Sequence, residues 1–258
     1  MIEIYKKLPK TNCGRCGAAT CMAFALKVKK GHADISDCPF MTGDDQKAII
    51  NDSGIGSFST YEQVGDEIEK EAAGVDFMTA ARAVGGLYET RDGGETLRLE
   101  MLNKSYELRR DGLFEDNEHC RDPWTKIIIC DYVRRMGSSP LTGEWVTLGH
   151  FPHTATHVKA FQAAAEKKIA ERFRNDLAGL KRCSDELGGA EIKGRVKTDL
   201  AMAFNLLPHV QLYLYFWLSD EEFDADCKLF FDSSAEAHID IEYLACLLER
   251  FTDVLVSI

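Results

Sequence analysis

Leu8-Pro9-Lys10-Thr11-Asn12-Cys13-Gly14-Arg15-Cys16-Gly17, then Thr20-Cys21-Met22-Ala23-Phe24-Ala25, Gly31 and Asp37-Cys38-Pro39-Phe40, sets four cysteines within 26 residues in the pattern C-x2-C-x4-C-x16-C. A cubane [4Fe–4S] cluster takes one thiolate per iron, so four sulfurs must converge from a compact loop. Closely spaced cysteines on a glycine-interrupted loop can wrap one side of a cluster, and a distant fourth can close the other. Gly14 and Gly17 each follow a cysteine directly, where a missing side chain lets backbone N–H groups approach inorganic sulfur. Such contacts and solvent exposure set the reduction potential, which spans roughly −700 to +450 mV across these clusters. Structural zinc is the competing reading. Zinc sites usually show paired C-x2-C knuckles, whereas Cys21 stands five positions after Cys16 and the last cysteine precedes Pro39. The spacing favours iron–sulfur.

These residues resemble the N-terminal cluster module of the corrinoid iron–sulfur protein large subunit and of the B subunit of Rnf-type electron-transport complexes. The resemblance covers residues 8–40. It implies that Cys13, Cys16, Cys21 and Cys38 ligate one low-potential [4Fe–4S] cluster, and in the corrinoid protein that cluster delivers electrons to cobalt. The remaining chain is too short for the barrel and cobalamin domain of that protein. It is instead similar to a domain of unknown function, number 3786, through Leu207-Pro208, Trp217, Asp220-Glu221-Glu222-Phe223 and Leu229-Phe230-Phe231-Asp232. That second resemblance brings no activity with it.

Around this module the composition is ordinary for a globular chain of 258 residues, 45% hydrophobic and 28% charged. The net charge of −11 argues against a general nucleic-acid binder or an anionic-membrane binder. The N-terminus lacks an apolar stretch of signal-peptide length. Asn205, Pro208, His209 and Gln211 interrupt the most apolar window, Ala201 to Leu218, so no membrane insertion is expected. A cytoplasmic address follows as an expectation. There cysteines stay reduced, and a cluster of them holds metal or does chemistry.

The other five of the nine cysteines, Cys120, Cys130, Cys183, Cys227 and Cys246, are scattered. They read as small buried hydrophobes; the alternative is a reactive thiol at His119-Cys120 beside Arg121. Asn51-Asp52-Ser53-Gly54-Ile55-Gly56-Ser57 separates the two regimes. The predicted organisation is a cluster module over 1–50, a linker over 51–59 and a domain over 60–258. Residues 1–50 carry eight Lys/Arg and five Asp/Glu, a net +3, which leaves −14 to the remainder. About fifty residues make too small a core without a metal.

The predicted fold class is α+β: a small iron–sulfur module plus a larger domain with an antiparallel sheet and helices. The module reads as a short extended start, a Gly-rich loop, a helix near 19–30 and a Cys-Pro turn. In the larger domain helices are expected over 60–73, 77–84, 123–136, 154–173 and 241–256. Strands are expected over 96–102, 106–110, 200–206, 210–218 and 228–231, the first two forming a hairpin around Asn103-Lys104.

Four further features carry alternatives. His150, His153 and His157 could hold a second metal, but Pro152 interrupts them and no Glu follows His153, so a solvated cluster is the plainer reading. Gln211 to Trp217 reads as a core strand, with the alternative that its aromatic face lines a pocket for a corrinoid or another planar cofactor. Asp220-Glu221-Glu222 reads as a solvated turn, with the alternative that Asp220, Glu222 or Asp232 is a polar group of a site. Lys27, Lys29 and Lys30 read as a solvated helix face, with the alternative that they offset cluster charge and steer an acidic redox partner protein. No P-loop, Rossmann glycine pattern or Ser/His/Asp signature is present. The expected function is one-electron transfer in anaerobic metabolism, to a partner or a bound cofactor. The alternatives are a cofactor-binding enzyme or accessory and a redox-sensing or structural-cluster adaptor.

Overall fold

The chain starts with a helix, α1 (Ile2–Lys7), where the sequence suggests an extended segment. Ile4 and Leu8, four residues apart and so on one face, are both buried beside α2 (Cys21–Lys29), and that shared burial favours the helix. Thr20 caps α2, its hydroxyl accepting the Ala23 N–H at 3.1 Å. A 3-10 helix over Ile35–Asp37 follows, closed by a reciprocal cap between Asp34 and Asp37. The computed structural model describes residues 2–18, 20–29, 33–43, 45, 58–91, 93–151 and 156–258. Residues 51–57 of the expected linker lie outside these, and Phe58 and Ser59 belong to α3 (Phe58–Ala73). The chain divides into two compact units, Met1–Glu67 and Ile68–Ile258.

In the second unit α4 (Phe77–Val84) is capped by Asp76, which accepts the Thr79 N–H at 2.8 Å. It stops at Gly85, where φ is +70° and a Cβ would lie 3.0 Å from Pro208 Cβ. Both the left-handed backbone and the close approach require glycine. Strands β1 (Leu87–Arg91), β2 (Gly94–Met101), β3 (Lys104–Arg109), β4 (Gly112–Glu115) and β5 (Glu118–His119) form an antiparallel meander in chain order. The expected hairpin is β2–β3, and its turn residues Leu102 and Asn103 have φ of +53° and +61°, matching the twist of the strands.

Asp122 and Pro123 open α5 (Pro123–Arg135) as their chemistry suggests. It is buried nearly all round, through Ile127, Ile128, Ile129, Cys130, Tyr132 and Val133. Tyr132 Oη donates to the Val84 carbonyl at 2.9 Å and accepts the His209 N–H at 3.1 Å. The second sheet is also antiparallel and five-stranded. Its spatial order is β6 (Trp145–Val146), β10 (Asp226–Asp232), β9 (Val210–Trp217), β8 (Leu200–Leu207) and β7 (Ala190–Glu191). The single expected sheet is therefore two. The Leu102 N–H, donating to the Leu206 carbonyl at 3.0 Å, ties them together.

Helices α6 (Thr156–Arg172), α7 (Leu177–Glu186) and α8 (Ile241–Ser257) complete the unit, with α6 packed on β10 and α8. Gln162 and Glu166 of α6 close the edge of β10: Gln162 Nε2 donates to the Leu229 carbonyl at 2.9 Å and Glu166 accepts the Leu229 N–H at 3.1 Å. Helix side chains thus satisfy an edge that would otherwise invite another strand. Among the described residues no helix is long and apolar enough to cross a membrane.

Asp232, at the end of β10, is fully buried and structural. Its carboxylate accepts from the Thr142 N–H (3.0 Å), the Gly143 N–H (2.7 Å) and the Ser234 N–H (3.0 Å) and hydroxyl (2.7 Å). Burial works against its charge, but these donors outweigh burial and lower its pKa from the usual 3.8 to about 2. A depressed carboxylate adds stability above its unfolded pKa and loses it as pH falls through the folded one. We expect about 2 kcal/mol from this group near neutrality, lost between about pH 4 and pH 2. Urea unfolding should show Asp232→Asn less stable than wild type at pH 6, with the gap closing toward pH 2; a gap that stays constant would contradict the assignment.

Candidate metal centre

The four module cysteines are placed by four local devices. The loop before α2 turns through four left-handed residues: Lys10 (φ +59°), Asn12 (+49°), Gly14 (+73°) and Gly17 (+73°). A Cβ on Gly14 or Gly17 would meet nothing within 4 Å, so φ rather than crowding selects glycine here. The space beside both is open.

Asn12 bridges the loop to α2. Its side-chain oxygen accepts the Cys21 N–H at 2.8 Å while its own N–H donates to Cys21 Sγ at 3.4 Å. Cys21 is the first residue of α2. Lys27 Nζ, donating to the Gly17 carbonyl at 2.9 Å, ties the helix back to the loop. The 3-10 helix delivers Cys38, whose carbonyl accepts the Met41 N–H in the expected turn around Pro39.

Cys21 and Cys38, 17 positions apart in sequence, are buried in one small core with Ile4, Leu8, Phe24, Ala25 and Ile35, and Cys16 packs against it. Cys13 is exposed. The Arg15 N–H and then the Thr11 hydroxyl, hydrogen-bonded to its sulfur, hold the Cys13 thiol below the usual range.

None of the four forms a disulfide. As a donor set, four soft sulfurs, one already receiving an amide N–H, suit an iron–sulfur cluster. Among the described residues no group of three or more His, Cys, Asp or Glu is arranged to hold a metal ion. A cubane spreads its four thiolates further apart than a single ion does, because each binds a different iron.

The remaining candidates separate from this centre. His150 is exposed at the end of a 3-10 helix over Leu148–His150, His153 lies outside the described residues, and of His157 only the backbone, in α6, is described. Lys30 also lies outside them. Cys120, Cys130, Cys183 and Cys227 are buried and Cys246 is half-buried. Burial raises the Cys120 thiol to about 11, the opposite of what a reactive thiol at His119-Cys120 needs.

The aromatic face of β9 is occupied by the chain itself. Trp145 stacks on Tyr213 with ring centroids 3.8 Å apart, Arg195 lies 3.9 Å over Trp145, and the Arg195 N–H donates to Tyr215 Oη at 2.6 Å. Asp220 forms the expected exposed turn, accepting the Glu222 and Phe223 N–H groups at 2.8 Å each. The role of Asn12 was not foreseen; its sequence signal is an asparagine, tolerant of φ > 0, directly before the first cysteine.

A small four-cysteine module and a larger α+β unit of two antiparallel sheets define a two-part protein of iron–sulfur type. The chain belongs to the family described as "Domain of unknown function (DUF3786)", which matches residues 76–253, while residues 8–40 match the family described as "Putative Fe-S cluster". Over 75 residues it is 39% identical to the corrinoid/iron-sulfur protein large subunit of Moorella thermoacetica, covering 26% of this chain and 17% of that one. Over 50 residues it is 44% identical to the acetyl-CoA decarbonylase/synthase complex subunit gamma of Methanothermobacter thermautotrophicus, covering 19% of this chain and 11% of that one. The corresponding gamma subunit of Methanosarcina acetivorans is 60% identical over 38 residues, 15% of this chain and 8% of that one. The chain thus spans less than a fifth of the length of these relatives. No solved structure matches.

Proposed function

We propose that Cys13, Cys16, Cys21 and Cys38 hold one [4Fe–4S] cluster and that the protein transfers single electrons through it to a partner protein in anaerobic metabolism. The observation that carries this reading is the shared core, in which Cys21 and Cys38 are buried together with Cys16 against them. When bound, the cluster supplies a one-electron couple, and its sulfur ligands replace the core volume that about fifty residues lack. The chain's own residues do the rest. Asn12 fixes the distance between loop and helix and donates its N–H to Cys21 Sγ. Hydrogen bonds of this kind tune the potential of iron–sulfur sites. Thr11 and the Arg15 N–H favour the thiolate of Cys13, the most exposed of the four.

Similarity to subunits of corrinoid and acetyl-CoA complexes supports a role beside other proteins under anaerobic conditions. The domain division we propose is a module over 1–50, a linker over 51–57 and a domain that starts with α3 at Phe58, in a cytoplasmic setting that keeps the thiols reduced. The test is a spectroelectrochemical titration of anaerobically purified protein. Reversible bleaching of a broad visible band by about one electron per chain supports the reading. A colourless protein loaded with zinc overturns it.

A further inference from the structure

Lys27 and Lys29 stand two positions apart in the last turn of α2, about 200° round the helix from each other. Lys27 falls four residues after Ala23 and so on the same face. Ala23 and Cys16 both pack, partly buried, against the module core. The Lys27 ammonium reaches the loop there, donating to the Gly17 carbonyl at 2.9 Å, and Gly17 directly follows Cys16. The turn around Cys16 is itself fixed: the Gly17 N–H donates to the Gly14 carbonyl at 3.1 Å, and both glycines have φ of +73°. A positive charge is thus pinned one residue from a proposed cluster ligand. An ordinary exposed lysine, by contrast, carries its charge on a flexible stem and is screened by salt. Negative charge is fixed on the Cys38 side, where Asp37 accepts the Asp34 N–H at 2.9 Å and Asp34 accepts the Ser36 N–H at 2.7 Å.

Resting on the cluster reading above, we infer that Lys27 is a potential-setting residue: its ammonium, held beside Cys16 by the Gly17 carbonyl, stabilises the reduced centre and raises its reduction potential. Reduction adds one electron to a group already anionic through its four thiolates. A nearby cation favours the more negative of two states, and the attraction grows as the distance shortens. The bond to Gly17 keeps that distance short and constant. Asp34 and Asp37 act in the opposite sense, so Lys27 contributes an increment to a field of mixed sign and does not decide its net sign. Lys29 carries the same charge on the other side of α2, where water lies between it and the loop. Its contribution is smaller for that reason. Position thus separates two lysines that the sequence presents as equivalent.

The test is the midpoint potential of the full-length, cluster-loaded chain under anaerobic conditions, measured for wild type, Lys27→Gln, Lys27→Arg and Lys29→Gln, with iron and sulfide counted on each sample. Lys27→Gln should lower the equilibrium constant for reduction about threefold, a fall of about 30 mV at about 59 mV per tenfold. Lys27→Arg keeps the charge and a donor for the Gly17 carbonyl, so it should stay within about 1.5-fold of wild type. Lys29→Gln should do the same. Iron and sulfide per chain should match wild type throughout. Equal potentials in Lys27→Gln and Lys29→Gln would overturn the inference, as would a Lys27→Arg that behaves like Lys27→Gln. Loss of iron in Lys27→Gln would also overturn it, by making Lys27 a structural clamp that holds the loop. The two readings fail separately. A loaded chain whose potential ignores Lys27 removes this inference alone, and a wild-type chain without iron removes the cluster.

Discussion

Cys38→Ser strips the protein of its cluster: iron and labile sulfide fall from about four each per chain to well below one, and the visible absorption disappears. Cys38 is buried at the end of a capped 3-10 helix, in the core that Cys16 packs against. The three remaining thiols of the module are the other ligands we propose, so none is left over to replace it. A serine hydroxyl stays protonated near neutrality and is a poor soft donor. The module should also lose its cooperative unfolding, because metal binding and folding are coupled when the core is this small. Cys246→Ser is the control. That thiol is half-buried in α8, where burial raises its pKa to about 12, and its loss should leave iron and sulfide unchanged. Retention of full cluster content in Cys38→Ser would remove it from the ligand set.

The second large effect belongs to Asp131. Its carboxylate is fully buried within α5 and accepts from Arg134 at 2.9 Å, Arg135 at 2.6 Å and the Asp240 N–H at 3.3 Å. Those partners join the end of α5 to the start of α8. Asp131→Ala leaves two exposed guanidinium groups and a backbone donor short of their acceptor, at a cost of about 2 kcal/mol. Arg134 keeps Glu71 and Arg135 keeps Asp240, which limits the loss. By contrast the exposed pair Lys167–Glu171 should contribute about 0.5 kcal/mol or less. Urea midpoints at unchanged slope measure both. A loss under about 1 kcal/mol for Asp131→Ala would mean that water reaches the site and replaces the carboxylate.

Elements with strong local signals were legible in the sequence. The Asp122-Pro123 start of α5, the alternation of β8 and β9 and the amphipathic spacing of α8 each fix an element within a residue or two. Three kinds of element were not legible. β1, Leu-Tyr-Glu-Thr-Arg, lacks apolar alternation, and β5, β6 and β7 have two residues each, so pairing partners rather than propensity make them strands. α7 carries Gly179 and four charged residues, and its helix is fixed by the Asp176 cap and the burial of Leu180 and Cys183. α1 is six residues long and depends on packing of Ile4 and Leu8. The four cysteines stand out by spacing because ligand chemistry constrains spacing, and their ligand role is the proposal that metal analysis tests. The role of Asn12 was not, since a side chain that bridges two backbone segments leaves no periodic trace.

The central claim is the cluster, and one measurement tests it most directly: iron, zinc and sulfide analysis of anaerobically purified full-length protein, with an electron paramagnetic resonance spectrum after reduction. About four irons and four sulfides per chain with a spin-one-half signal of a reduced cluster are expected. About one zinc per chain, no sulfide and no signal would contradict the account.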